Sequence, residues 1–373
     1  MKPFRSVFAL VSDCHARTGH YQQLWQRHFY DGLRGALETV ATPHDVEFDW
    51  ARGAAAATGS AFKEARARTS ERLREQILGA HRRSGLDAVI SYCFGGDLEP
   101  GLVSEVTHSG IPWINFYCDS THRFVEIAAL ARIVSLNWFP EHAAIPNYRA
   151  LGVPILCAPY ALNPDCLPDL SCQSPRHDSA FIGLPTSNRI TQLGLLRLLG
   201  CRVAIRGHVW ADRSVDPFHN AARKKSDWLA VLFRRGLGEK FLRRCFWPII
   251  RAQAEGPLGD GEFGEFLRQS QIILGLNQGR DEAGRLTSYL KFRDVEFPGY
   301  ACCYLTEFNE DVAAAFEIGK EILTYQSMWE AAQKIKFYSR RREVAQRIGR
   351  AGRARVLASQ VWPIRLQQLA QAL

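Results

Sequence analysis

Short runs of β-branched and aromatic residues, each bounded by Gly, Pro or Asp, alternate with amphipathic stretches along the first part of the chain. The runs at 5–11, 45–50, 87–93, 111–117, 132–136 and 153–157 predict strands. The clearest helix between them is 64–81, with Leu73, Ile77 and Leu78 at helical spacing, charge elsewhere and Gly85 shortly past its end. Strands separated by helices pair in parallel, because the crossover brings the chain back to start each strand at the same end of the sheet. Residues 163–179 lose the pattern. Pro164, Pro168 and Pro175 stand among Asp and Ser there, which reads as an interdomain linker. The rhythm resumes with strands at 180–183, 202–206, 271–276, 301–306 and 321–325. A basic helical stretch at 328–357 and a short helix at 364–373 end the chain.

This pattern predicts an α/β protein with two open sheets: residues 1–162, then 178–361, with a terminal helix 362–373 returning toward the first domain. At 373 residues the chain is long enough to bury two cores. Open parallel sheets bind ligands at the carboxyl ends of their strands. Two such domains would therefore face each other across a cleft suited to a nucleotide-bearing donor and a second substrate.

Composition narrows the choice. Apolar residues at 46% and charged residues at 23% exclude a disordered chain. No apolar run nears the roughly 18 residues of a spanning helix. The apolar start, 7–11, stops at Ser12-Asp13 and is too short for a secretory core. Ten cysteines with no C-x-x-C pair argue against a zinc ribbon or a thioredoxin-type site. The expected compartment is the cytoplasm, with reduced thiols.

The net charge of +9 is local: 223–251 carries +7 and 334–355 carries +8, so the remainder is −6. Such segments suit nucleic acid, an anionic membrane or phosphate-bearing ligands. Here the basic residues alternate with apolar core positions and no recognised nucleic-acid motif accompanies them, so no nucleic-acid partner is expected.

Several stretches carry candidate chemistry. Lys291, Arg293 and Glu296 fall at i, i+2 and i+5 ahead of Pro298-Gly299. A carboxylate there can accept both hydroxyls of a ribose, and the two cations can neutralise a diphosphate. The same residues also fit a solvated helix start with an ordinary ion pair. Phe181-Ile-Gly183, then a polar turn and Arg189, is a strand leading into a helix, whose free N–H groups bind phosphate. That turn holds no complete G-x-G-x-x-G, so a plain strand-to-helix turn reads as well. Gly207 and Asn277 follow two further strands and could line the same site, or be ordinary turn residues.

In the first half, Asp119 follows Tyr117-Cys118 at a strand end. It stands where a general base or a helix cap would stand. Asp13, His15, His20 and His122 lie beyond strand ends and are candidates for an acceptor side, or merely solvated loop residues. Asp-x-Asp, H-E-x-x-H and paired Cys/His spacings are absent, so no essential metal is expected; G-x-S-x-G is absent too, which disfavours a serine hydrolase.

Taken together, Phe181-Ile-Gly183 with Arg189, Leu274-Gly-Leu-Asn277, the run Leu290-Lys-Phe-Arg-Asp-Val-Glu-Phe-Pro-Gly299, Leu305-Thr-Glu307, Gly319-Lys-Glu-Ile322, Ala158-Pro-Tyr-Ala-Leu-Asn163 and Trp362-Pro-Ile-Arg365 resemble the spore-maturation-type (CgeB-like) glycosyltransferases. These are GT-B enzymes related to the group-1 glycosyltransferases. The resemblance implies two Rossmann-like domains, with a nucleotide-sugar donor held mainly by the second. It implies that Glu296 binds the donor ribose, that Arg189 occupies the position of a diphosphate-binding lysine, and that Lys291 and Arg293 match the basic pair ahead of that glutamate. Asp119 matches an aspartate ending a long strand. Three positions depart: Ser288 replaces an earlier glutamate, Cys118 a catalytic-site histidine, and Ala301 a glycine.

The expected activity is metal-independent transfer of a sugar from a nucleoside-diphosphate sugar to a hydroxyl of a glycan, lipid-linked or protein acceptor, in a role such as cell-surface glycan synthesis. Its donor site is Gly183, Arg189, Gly207, Asn277, Lys291, Arg293, Glu296 and Gly299, and its base Asp119. A nucleotide-sugar epimerase and a non-catalytic nucleotide-sugar-binding protein are the alternatives. Residues 210–256 lie outside the resemblance as a basic amphipathic insertion, read as two short helices split at Gly236-Leu-Gly238. Trp228, Leu229, Leu232 and Phe233 share one face of the first. Phe241, Leu242, Cys245, Phe246 and Ile249 share one face of the second, and Arg234, Arg235, Arg243 and Arg244 point away. That face suits either core packing or peripheral contact with an anionic membrane.

Overall fold

A computed structural model describes residues 4–12, 24–46, 60–210, 237–280 and 286–373. The chain forms two compact units, Met1–Leu167 with Val356–Leu373, and Pro168–Arg355.

In the first unit the strands are β1 (Ser6–Val11), β2 (Thr39–Ala41), β3 (Ala88–Tyr92), β4 (Trp113–Phe116), β5 (Leu136–Phe139) and β6 (Ile155–Cys157). They pair in parallel in the order β2-β1-β3-β4-β5-β6. The helices are α1 (Asp31–Ala36), α2 (Ser60–Ser84), α3 (Pro100–His108), α4 (Ser120–Ala131) and α5 (Ile145–Leu151). Every residue of β1, β3, β4 and β5 is buried, as expected for strands covered on both faces.

Two expectations are corrected here. The fifth strand is not 132–136. Ile127, Leu130 and Ala131 keep α4 packed on the core to its end, so the strand starts only at Leu136. The edge partner of β1 is Thr39–Ala41 rather than 45–50, of which 47–50 lie outside the described residues.

The second unit repeats the plan with β7 (Ser179–Ile182), β8 (Val203–Arg206), β9 (Ala254–Glu255), β10 (Ile273–Leu274), β13 (Tyr304–Glu307) and β14 (Leu323–Tyr325). They are parallel, in the order β14-β13-β10-β7-β8-β9. A separate antiparallel pair joins β11 (Gly279–Arg280) to β12 (Leu286–Thr287). The helices are α6 (Ser187–Leu198), α7 (Leu237–Arg251), α8 (Asp260–Arg268), α9 (Phe292–Gly299), α10 (Glu310–Ala315), α11 (Met328–Tyr338) and α12 (Arg342–Ser359), whose residues from Val356 onward belong to the first unit; the last helix, α13 (Trp362–Ala372), lies in the first unit.

The expected continuous helix at 328–357 is two helices. The break at 339–341 lets Ala331, Ala332 and Ile335 enter the core on one side while Gly349 meets the Ala301 peptide. The proline-rich stretch 163–179 is not bare linker. It holds a helical turn, Pro164–Cys166, and buries Leu170 and Cys172.

In the insertion, the described helix α7 turns a different face inward than its pattern suggests. Arg243, Phe246 and Ile250 are buried, whereas Arg244, Cys245 and Ile249 are exposed. The Phe246 ring fills the space over Gly194 of α6, where any side chain would collide with it, and this contact sets the rotation of α7. The first of the two expected helices, with Trp228, Leu229, Leu232 and Phe233, lies outside the described residues, as do Arg234 and Arg235.

Candidate functional site

The carboxyl end of the second sheet gathers positive charge around one glycine. Gly183 directly follows β7, and helix α6 starts at Ser187, with the Thr186 hydroxyl capping its first turn by accepting Arg189 N–H. Arg189 turns back over the strand ends. Its Nε donates to Leu276 O at 3.0 Å and its Nη1 to Leu184 O at 3.0 Å. Arg293, in the first turn of α9, reaches the same place and donates from Nη1 to Ile182 O at 2.8 Å. A side chain at Gly183 would begin 3.2 Å from Arg293 Nη1 and 3.4 Å from Arg189 Nη1. Both guanidiniums also lie over the Phe181 ring.

Neither arginine has a carboxylate at ion-pair distance among the described residues; carbonyl oxygens hold both. Burial, and then the neighbouring Arg293 charge, pull Arg189 down to about 9, so it stays protonated at neutral pH. Glu307 offsets part of this charge from farther off; two close cations with no carboxylate in contact still favour an anion.

Gly207 follows β8 with φ +153°, and a β-carbon there would collide with the Gly183 peptide. Trp210 is fully buried and donates from Nε1 to Gly183 O at 2.6 Å. Lys291 is the N-cap of α9; its Nζ stands 3.5 Å over the Tyr289 ring, and its N–H donates to Asp294 Oδ2 at 2.6 Å. Glu296 lies one turn beyond Arg293 on the same helix and is 4% exposed. Gly299 closes that helix, about 10 Å along its axis from the first residue, so it belongs to the interior and not to the arginine pair. Asn277, expected as a ligand contact, spends its side-chain N–H on Asp294 Oδ1 at 2.7 Å, and its backbone N–H on Glu307 Oε2 at 2.8 Å.

Sequence reasoning missed Asp294, Glu307 and Trp210. Burial lifts Asp294 to about 6, partly offset by the bonds it accepts. A second missed feature is Gly259, Gly261 and Gly264, which have G-x-G-x-x-G spacing at the start of α8. The Glu262 carboxylate accepts Gly259 N–H at 2.9 Å, so that helix start already holds an anion of its own.

In the first unit, Asp119 occupies the N-cap position of α4 with φ +63°, but its side chain makes no capping bond. Glu141 caps instead. Its carboxylate accepts Ser120 N–H at 2.6 Å, Thr121 N–H at 2.8 Å and the Thr121 hydroxyl at 2.5 Å. Burial raises the Glu141 carboxyl above its ordinary range. Asp119 is thus left in a left-handed conformation at the strand end, half-buried, beside His122 in the first turn of the helix. Cys118 Sγ lies 3.0 Å from Tyr92 Oη. Ser12 and Asp97 meet at the ends of β1 and β3, with Ser12 Oγ donating to Asp97 Oδ2 at 2.6 Å. Asp13, His15 and His20 lie outside the described residues.

Two parallel α/β units of this topology define the GT-B fold, and the comparisons agree. Residues 195–371 match the family model described as glycosyl transferase-like. The sucrose-phosphate synthase of Thermosynechococcus elongatus is similar with a TM-score of 0.59 at 11% identity, covering 98% of each chain. A glycosyltransferase of Rickettsia africae gives 0.55 at 8% identity, covering 99% of this chain and 97% of its own. Anabaena HepE in complex with UDP and glucose gives 0.54 at 9% identity, covering 99% and 98%. No curated protein matches the chain. Among the described residues no helix is long and apolar enough to cross a membrane, and no group of three His, Cys, Asp or Glu could hold a metal ion.

Proposed function

We propose that this protein is a glycosyltransferase that moves a sugar from a nucleoside-diphosphate sugar to an acceptor hydroxyl. The observation that carries the reading is the Arg189–Arg293 pair, two guanidiniums against one glycine at the carboxyl end of a parallel sheet, with only carbonyl hydrogen-bond partners among the described residues. As the bond to the leaving diphosphate breaks, charge develops on its oxygens. Fixed cations that meet it there stabilise the transition state more than the ground state. In this mechanism the guanidiniums and Lys291 supply the charge, without an essential metal; the absence of Asp-x-Asp in the sequence supports that choice. Glu296 takes the ribose hydroxyls. Asp119 deprotonates or orients the acceptor hydroxyl, and its left-handed backbone supports the assignment, because such strain persists mainly at working sites.

The match to a glycosyl transferase-like family over residues 195–371 favours transfer over epimerisation. An epimerase on the same fold would turn over the donor alone. The acceptor is proposed to be a glycan, lipid or protein hydroxyl. Where it is lipid-linked, the exposed edge of α7 at Arg244, Cys245 and Ile249 is the surface proposed to meet an anionic membrane.

Thermal unfolding against a panel of nucleoside diphosphates and their sugars tests the donor, since a ligand that binds only the folded state raises the midpoint. The best stabiliser then serves in transfer assays. Arg189→Ala and Glu296→Ala are each expected to lower transfer by about a hundredfold or more while remaining folded. Full activity in both folded variants would refute the site.

A further inference from the structure

Two guanidiniums that share one glycine repel each other, and no carboxylate among the described residues pairs with either. Their spacing is held from below. The peptide between Leu276 and Asn277 is clamped at both ends: its N–H donates to Glu307 Oε2 at 2.8 Å, and its carbonyl accepts from Arg189 Nε at 3.0 Å. The side chain of the same Asn277 donates to Asp294 Oδ1 at 2.7 Å, an oxygen that also accepts the Thr306 hydroxyl at 3.0 Å. Asp294 Oδ2 accepts Lys291 N–H at 2.6 Å and so closes the first turn of α9, the turn that carries Arg293. At the other end, Gln192 of α6 donates to Glu307 Oε1 at 2.9 Å. Hydrogen bonds thus run unbroken from the helix of Arg189 to the helix of Arg293, with Asn277 as the junction. Gln192, Asn277, Asp294, Thr306 and Glu307 are all buried.

We propose that Asn277 and Asp294 are positioning residues: the buried string fixes the separation of Arg189 and Arg293 so that one pyrophosphate group can engage both. The proposal rests on reading the arginine pair as the diphosphate site. It reassigns Asn277 from a ligand contact to a support. A string of this kind is worth building because an anion site is only as good as the fixed placement of its donors. An ionised Asp294 accepts from all of its donors, Asn277, Thr306, Tyr304 and the Lys291 N–H. Once protonated, it loses its charge and part of its accepting capacity, so its hold on the Asn277 amide and on the first turn of α9 weakens.

The groups facing Asp294 are Glu307 and Tyr304 from β13, Tyr325 from β14, and Lys291 and Arg293 at its own helix start; Asn277 and Thr306 are neutral. Burial brings its protonation to about 6, within reach of mild acid. Anion affinity through this string is therefore present above that pH and is lost as the pH falls through it.

Inorganic pyrophosphate, titrated calorimetrically into the full chain near neutral pH and at about pH 5, is the test. Asp294→Asn and Asn277→Ala are expected to weaken binding about tenfold or more near neutral pH while remaining folded. Pyrophosphate itself titrates in this range, so the informative quantity is the difference between proteins. Wild type should lose more affinity on acidification than Asp294→Asn, in which the switch is already thrown. Folded variants that bind as wild type does, or an Asp294→Asn protein that keeps the wild-type pH dependence, overturn the proposal. If Asp294→Asn does not fold, Gln192→Met probes the far end of the string; an expected loss of about threefold supports it, and unchanged affinity overturns it. Arg189→Ala/Arg293→Ala separates the two readings. If that double variant still binds pyrophosphate, the diphosphate site itself fails. If it loses binding while the Asn277 and Asp294 variants do not, only the positioning role fails.

Discussion

Gly207 shows how tightly a single residue is constrained at this site. Its φ of +153° is one that side chains rarely adopt, and an added β-carbon would run into the carbonyl of Gly183, whose own α-carbon underlies both arginines. Gly207→Ala should therefore cost about 2–4 kcal/mol in urea unfolding, from backbone strain and displaced packing together, and should weaken pyrophosphate binding as Gly183 shifts. Wild-type stability and binding in this variant would show that the two strand ends are not in fixed contact. The positions of Arg189 and Arg293, after a strand and at a helix start, are visible in the sequence, but they read there equally as a plain turn and an ordinary ion pair; that the two meet over one glycine is visible only in the fold. The duty of Asn277 is not legible. Its partners Asp294, Thr306 and Glu307 lie 17, 29 and 30 residues away, beyond any local pattern. The helix-cap reading of Asp119 fails for the same reason in reverse: a local rule makes it a cap, but Glu141, from beyond the next strand, takes the N–H groups it would have capped.

At the scale of elements, the parallel sheets are legible because strands buried on both faces read as continuous apolar runs. Their boundaries are less so. Nothing local shows that α4 stays packed to Ala131, or that a helical pattern across 339–341 is cut so its halves can pack in different places. Helix α7 is the instructive case. Periodicity identified an amphipathic helix, but one with apolar residues on more than one side, and only the gap over Gly194 selects Phe246 and Ile250 for the core. Burying such a pair is worth roughly 3–5 kcal/mol, which sets the rotation and leaves Ile249 outward next to Arg244. If this edge meets a membrane, the protein should float with vesicles rich in anionic lipid at low salt and detach as salt screens the charge. Ile249→Glu should reduce flotation without changing the unfolding midpoint. No flotation of wild type at low salt would end the idea.

At the scale of the molecule, the two units draw differently on the chain. The second is continuous from Pro168 to Arg355, whereas the first is completed only by the last residues, from Val356 onward. Trp362 is the keystone of that return. It is 1% exposed, donates from Nε1 to His28 O at 2.5 Å, and meets Phe29 and Trp138 edge-on at 5.5 and 5.8 Å. Its ring lies where a β-carbon at Gly32 would be, so no residue with a side chain fits at Gly32. Val361 also pairs with Leu162 in a parallel bridge. Removing such a ring leaves a cavity that costs about 3–5 kcal/mol, and the whole cost falls on the first unit. The nucleotide, in contrast, is proposed to be held by the second. Calorimetry of the full chain should then show a transition that Trp362→Ala lowers and another that a saturating nucleoside diphosphate raises, each leaving the other nearly in place. If the tryptophan variant lowers the ligand-responsive transition by the same amount, the units do not unfold separately and the donor site owes its stability to both.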